Sequence, residues 1–280
     1  MDPIQLRLNR VALLPDDTID LWRGALLVSE LYHPGLDVEP YLRHLDALAL
    51  TAESAVPREA PLTERLAAFN RFLFVDQGFS GNREDYYDPR NSFLDQVLDR
   101  RLGIPISLSV VYLEIARRIG IPAFGVGFPG HFLVRVGIGP SVVLLDPFAS
   151  GVSVDEDELD RRLVDVFGEE GLVSVRSHPG LLRVASKREI MVRLLSNLKG
   201  IFARQEQLDE VLIAVNGILT LIPDSAENLR ERGLIYRQLG YASAALADLR
   251  RYVSISGNSE DVAALAPVID ELSSQGMRLH

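Results

Sequence analysis

Apolar positions along this chain recur at helical spacing as far as Ile119. They shift to the short period of strands between Ala123 and Asp146, and return to helical spacing from Ser186 onward. The opening stretch, MDPIQLRLNR, reads as an extended lead-in. After Pro15-Asp16-Asp17, where either Asp can cap a helix, Leu21, Ala25, Val28 and Leu31 fall on one apolar face that ends at Pro34-Gly35. A second helix is predicted over about Val38 to Leu50, with Tyr41, Leu42, Leu45, Leu48 and Ala49 on its apolar side. A third, over Leu62 to Val75, is built on Leu66, Phe69, Phe72 and Leu73. Gly78 to Arg90 is a loop rich in polar and turn residues, after which Asn91 or Ser92 caps a short helix through Leu98. Gly103-Ile104-Pro105 then interrupts the chain and opens a helix over about Ile106 to Ile119, because a proline in the first turn gives up no intrahelical hydrogen bond.

Strands are expected at Ala123 to Phe128, His131 to Ile138 and Val142 to Asp146, with Pro129-Gly130 as the first turn and Pro147 as the final stop. Asp155 to Leu163 is helical by pattern and Leu172 to Gly180 irregular. In the last third, Asn197 to Ile201 recurs as Arg232 to Tyr236, and Asp209 to Leu221 is answered by Ala242 to Val253, with Pro223-Asp224 as the turn. The spacing of Gly200 and Gly233, each placed near a helix crossing, is close to the period of about 34 residues of tetratricopeptide helix pairs. Gly233, Tyr236, Gly240 and Ala245 stand where such a repeat wants small or aromatic residues, and a last helix is expected over about Asp261 to Ser274.

Composition narrows the function classes. A net charge of −10 over 280 residues argues against a nucleic-acid or membrane-surface protein, both of which present a basic face. With no cysteine in the sequence, disulfides, thiolate metal sites and thiol nucleophiles are excluded. The start lacks the apolar core of a signal peptide and no apolar run reaches membrane-spanning length, so a cytoplasmic protein is expected. His33, His44, His178 and His280 are scattered without metal-ligand spacing, so neither a metal nor a cofactor is expected. Gly125, Gly127 and Gly130 spell a dinucleotide-type string, but it leads into a strand and not a helix.

Three pieces carry candidate chemistry: Gly103-Ile104-Pro105-Ile106-Ser107 opening a helix, Pro129-Gly130-His131-Phe132 opening a strand, and Leu145-Asp146-Pro147-Phe148 closing the next. A helix N-terminus favours a developing anion, a His on a facing strand accepts a proton, and an Asp on the adjacent strand orients that His. That order, nucleophile then His then Asp, is the one used by papain-like and transglutaminase-like folds.

Asn70 to Val75, Gly78-Phe79 with Gly81-Asn82, Tyr86 to Asn91, Val97 to Ser109, Gly130-His131-Phe132 and Asp146-Pro147-Phe148 together resemble the SirB1 family. The resemblance covers nearly the whole sequence and implies a transglutaminase-like domain followed by tetratricopeptide-type helices. It places Pro105 where the thiol of an active enzyme would stand, with His131 and Asp146 at the other two positions. Ser107, in the first helical turn, is the one candidate replacement nucleophile, although two positions turn a helical side chain by about half a revolution from Pro105; Ser109 lies deeper in the apolar helix. Tyr86, Tyr87, Arg90 and Asn91, with Pro105, are candidate cleft-lining residues, equally readable as an ordered loop. Glu114 is expected to be partly exposed, or buried with Arg100 or Arg101 as partner.

The expected fold is α+β. A helical N-terminal section packs with a small antiparallel sheet into a degenerate transglutaminase-like domain, residues 1–180, and an all-α tetratricopeptide-like module follows, residues 186–280. The expected function is non-catalytic binding of a protein or peptide partner as a scaffold or regulator. The alternative is a hydrolase or acyltransferase on peptide or amide bonds using Ser107, His131 and Asp146.

Overall fold

A computed structural model describes residues 3–137, 142–168, 174–257 and 260–277. The protein folds as two compact units, Leu14–Leu194 and Met1–Leu13 with Leu195–His280. Twelve α-helices and six strands lie among the described residues, and the fold is α+β. The first helix, α1 (Pro3–Leu13), belongs to the second unit.

The larger unit begins with α2 (Leu21–Tyr32), α3 (Glu39–Ala55) and α4 (Leu62–Asn70), the last running on through a wide π-type turn, Arg71–Asp76. Strand β1 (Ser80–Gly81), α5 (Leu94–Arg100) and strand β2 (Leu102–Gly103) follow, and β1 pairs in parallel with β2. Helix α6 (Pro105–Arg118) is buried on every side from Pro105 to Ala116, as expected of a helix apolar all round. It packs on strands β3 (Ala123–Phe128) and β4 (His131–Val136). With β5 (Val143–Asp146) and β6 (Val152–Ser153) these form an antiparallel sheet in the order β3-β4-β5-β6. Pro129-Gly130 makes the β3–β4 turn, with Gly130 at φ 66°, a conformation costly for any residue that carries a Cβ. Helix α7 (Glu156–Phe167) lays Leu159 and Leu163 on a core of Val126, Phe128, Leu133, Val154 and Val175.

The division between units falls within α8 (Lys187–Arg204). Then come α9 (Leu208–Leu221), α10 (Ala226–Gln238), α11 (Ala242–Ser256) and α12 (Glu260–Met277). These are packed as neighbours in sequence, α9 on α10, α10 on α11 and α11 on α12.

Several local expectations change. The lead-in expected to be extended is helical: Ile4 and Leu8 lie one turn apart and bury against α9, with Gln5 donating to Thr220 at 2.9 Å. Its partner lies some two hundred residues away, out of reach of any local pattern. The cap of α2 is Asp20, which accepts from the Arg23 N–H at 3.0 Å. Asp16 instead accepts from the N–H groups of Lys187 and Arg188, both at 2.9 Å, and so satisfies the start of α8 from a distant segment. Neither Asn91 nor Ser92 caps α5, which starts at Leu94 without a side-chain cap. Glu114 is buried, and its partners are Arg117 and Arg118, one turn on along the same helix, not Arg100 or Arg101. Gly233 does sit at a crossing, where a Cβ would come 2.8 Å from Leu249, but Gly200 faces open space. Ile138, Leu172, Val173 and His280 lie outside the described residues.

Candidate functional site

His131 is the first residue of β4 and Asp146 the last of β5. The register Val134↔Leu145 brings the start of one strand beside the end of the other. His131 Nε2 lies 2.9 Å from Asp146 Oδ1. Asp146 Oδ1 also accepts from the N–H groups of Phe148 at 3.0 Å and Ala149 at 3.3 Å, capping the short turn that follows β5. Its Oδ2 accepts from Arg162 at 2.9 Å. The carboxylate is 3% exposed. Burial alone would push its pKa up, but His131 and Arg162 outweigh that and hold it below the ordinary value. Arg162 reaches it because α7 turns Leu159 and Leu163 inward, which sets Arg162 on the flank facing β5; Glu158, one turn back, accepts from the same guanidinium at 3.1 Å.

Around this pair lies a cleft of about 340 Å³, walled further by Arg83, Gly130, Phe148, Asp165 and Val166. The Phe148 ring is its hub. His131 and Tyr86 approach it edge-on at 6.2 and 5.8 Å, and the Arg83 guanidinium lies 5.3 Å from its centroid. Gly81 is what lets Phe148 lie there, since a Cβ at that position would fall 2.5 Å from the ring.

Ser107 is elsewhere occupied. Its hydroxyl is fully buried, donates to the Asn91 carbonyl at 2.6 Å and accepts from the Ile104 N–H at 3.0 Å. None of its hydrogen bonds goes to His131, and its one proton is already committed to a carbonyl. Ser109 bonds back to the Pro105 carbonyl at 2.7 Å, as serines inside helices do. Pro105 is the buried first residue of α6 and has no group able to attack.

None of the five cleft-lining candidates, Pro105, Tyr86, Tyr87, Arg90 and Asn91, walls the cleft at His131. The reason is visible in the loop's own bonding. Asn91 is fully buried, accepts from Asn82 at 3.1 Å and donates to the Asp85 carbonyl at 2.7 Å. Asp88 holds Arg90 through its Nε at 2.9 Å. Tyr87 is half exposed beside Tyr86. Sequence reasoning does not reach Arg162, Arg83 or Phe148 as site residues. Phe148 is at least legible within the Asp146-Pro147-Phe148 motif, but nothing local marks Arg162 as the partner of Asp146. Among the described residues no group of three or more His, Cys, Asp or Glu is placed to hold a metal, and no helix is long and apolar enough to cross a membrane.

The helices packed on a small antiparallel sheet, the His–Asp pair at facing strand ends and the helical pairs that follow define a transglutaminase-like protein with a tetratricopeptide region. The chain belongs to the transglutaminase-like superfamily: residues 39–196 match its family model, and residues 198–270 match that of the tetratricopeptide repeat. Over nearly its full length it is similar to proteins named UPF0162. One from Xylella fastidiosa (strain Temecula1) is 39% identical over 272 residues, 97% of this chain and 96% of the relative. One from Vibrio cholerae is 33% identical over 258 residues, 92% and 94% of the two chains. Human F-box only protein 21 is 32% identical over 212 residues, which is 71% of this chain and 32% of that protein. No solved structure matches the chain.

Proposed function

We propose that this is a SirB1-type protein, cytoplasmic and without thiol catalysis, that binds a protein or peptide partner as a scaffold. One observation carries the reading. The His131–Asp146 pair is intact, yet the first turn of α6 offers it only the pyrrolidine of Pro105 and a Ser107 hydroxyl already bonded to Asn91. A base with nothing to deprotonate does not make a nucleophile. The tetratricopeptide match supports the binding half of the proposal, because stacked helix pairs commonly present a surface to peptide segments. We take residues 1–180 and 186–280 as the two working domains, except that α1 goes with the second. The alternative, a hydrolase or acyltransferase using Ser107, needs that side chain to break its bonds to Asn91 and Ile104 and swing toward His131.

The test is mass-spectrometric. A partner isolated on the full-length protein should bind saturably, and both proteins should keep their intact masses after prolonged incubation. A serine-reactive fluorophosphonate probe should label the wild type no more than it labels Ser107→Ala. Cleavage or acyl transfer on the partner, or labelling lost in Ser107→Ala, would overturn the proposal.

A further inference from the structure

Next to the His–Asp pair sits a cation that the proposed function leaves unused. Arg193, on α8 within the larger unit, is half-buried, and burial depresses its pKa. Its one hydrogen bond among the described residues is a 3.5 Å contact with the His131 carbonyl, at the limit of such a bond. No acidic side chain among the described residues pairs with it there; the titratable group within its electrostatic reach is the Tyr86 phenol. Tyr86 in turn makes ring contacts with Phe148 and Tyr87, and its hydroxyl bonds to nothing among the described residues. Arg193 and Tyr86 thus each touch a residue that walls the cleft, His131 in one case and Phe148 in the other. Arg83, over the Phe148 ring, is a second guanidinium without a carboxylate partner among the described residues. In a protein of net charge −10, buried or stacked arginines normally find an acid.

We infer that Arg193 and Tyr86 form a clamp for a carboxylate of the peptide partner, seated beside His131 and Phe148; this rests on the partner-binding reading. The guanidinium fork supplies two parallel N–H donors to the two carboxylate oxygens, and the phenol O–H supplies a third donor. The neighbouring cleft does not oppose such a ligand, because Arg83 and Arg162 in its lining offset Asp146 and Asp165.

The probes are acetate, for an Asp or Glu side chain, N-acetylalanine, for a peptide's terminal carboxylate, and inorganic phosphate. Each is titrated into the full-length protein at constant ionic strength while the histidine ring signals are followed by NMR, with the His131 signal assigned through His131→Gln. Both carboxylates should shift the His131 signal saturably and leave that of exposed His178 unmoved. A markedly lower midpoint for N-acetylalanine would assign the terminal carboxylate as the source. Arg193→Gln should raise the midpoint about tenfold or more, and Tyr86→Phe severalfold, as expected for lost charge-assisted and neutral hydrogen bonds. If Arg193→Gln does not fold, Tyr86→Phe and Arg193→Lys carry the test, the lysine weakening binding by losing the fork. Saturation by phosphate alone, no saturation by a carboxylate, or midpoints unchanged in the variants would overturn the clamp. The partner-binding reading would survive that failure, because it is scored on the partner itself.

Discussion

Removing the Asp146 carboxylate should destabilise the larger unit by an amount that depends on what replaces it. In Asp146→Ala the Phe148 and Ala149 N–H groups lose their cap, and Arg162 and His131 lose the buried anion between them. Breaking a buried ion pair costs about 3 to 5 kcal/mol. Arg162 keeps Glu158, so we place Asp146→Ala near the lower end, at about 3 kcal/mol. Asp146→Asn keeps an oxygen for the cap but loses the charge and turns an amide NH2 toward Arg162, so it should be less costly than the alanine variant by about the 1 kcal/mol of the cap. The native pKa lies below the ordinary value of 3.8, so the carboxylate's contribution is fully present above that value and is lost as pH falls through the folded pKa. The gap between wild type and Asp146→Asn should therefore be full at pH 7 and shrink below about pH 4. The assay is urea denaturation followed by fluorescence. The protein has one tryptophan, Trp22, and it is fully buried in α2 of the same unit. An alanine variant within about 0.5 kcal/mol of wild type, or an asparagine variant as damaging as the alanine one, would refute the account of Asp146 as a buried, cap-forming anion.

Other expectations follow from single contacts. Ser107→Ala strands the buried Asn91 carbonyl and Ile104 N–H and should cost about 2 kcal/mol in the same fluorescence assay; a neutral result would mean the hydroxyl is not tied down. The two repeat glycines should respond with opposite sign in thermal melts followed by circular dichroism. Gly200→Ala, in open space within a helix, should stabilise by about 0.5 to 1 kcal/mol. Gly233→Ala should destabilise by about 1 kcal/mol after its gain in helix propensity, because its methyl group meets Leu249. Leu8→Ala, at a fully buried position of α1, should cost about 2 to 5 kcal/mol in stability of the unit that holds α1; a loss under about 0.5 kcal/mol would return the N-terminus to an ornamental lead-in.

What the sequence determined by itself is local and periodic. The apolar stripe of α3, the all-round apolar run of α6, the short apolar runs of β3 and β4 and the Pro-Gly turn between them are local patterns, which need no knowledge of the rest of the protein. The absence of cysteine and the order Pro105, His131, Asp146 are likewise plain in the sequence. Tertiary structure alone decided what each polar group meets. The same sequence signals allowed Asp16 to cap α2, Asn91 to cap α5 and Ser107 to face His131. The fold gave Asp16 to α8, Asn91 to its own loop, and Ser107 to Asn91. It also turned Arg162 onto Asp146 and left Arg193 without an acid among the described residues. Hydrophobic period reports which face of an element is buried, whereas a hydrogen bond or ion pair requires a particular partner within about 3 Å, and that partner is brought there by packing between segments distant in the sequence.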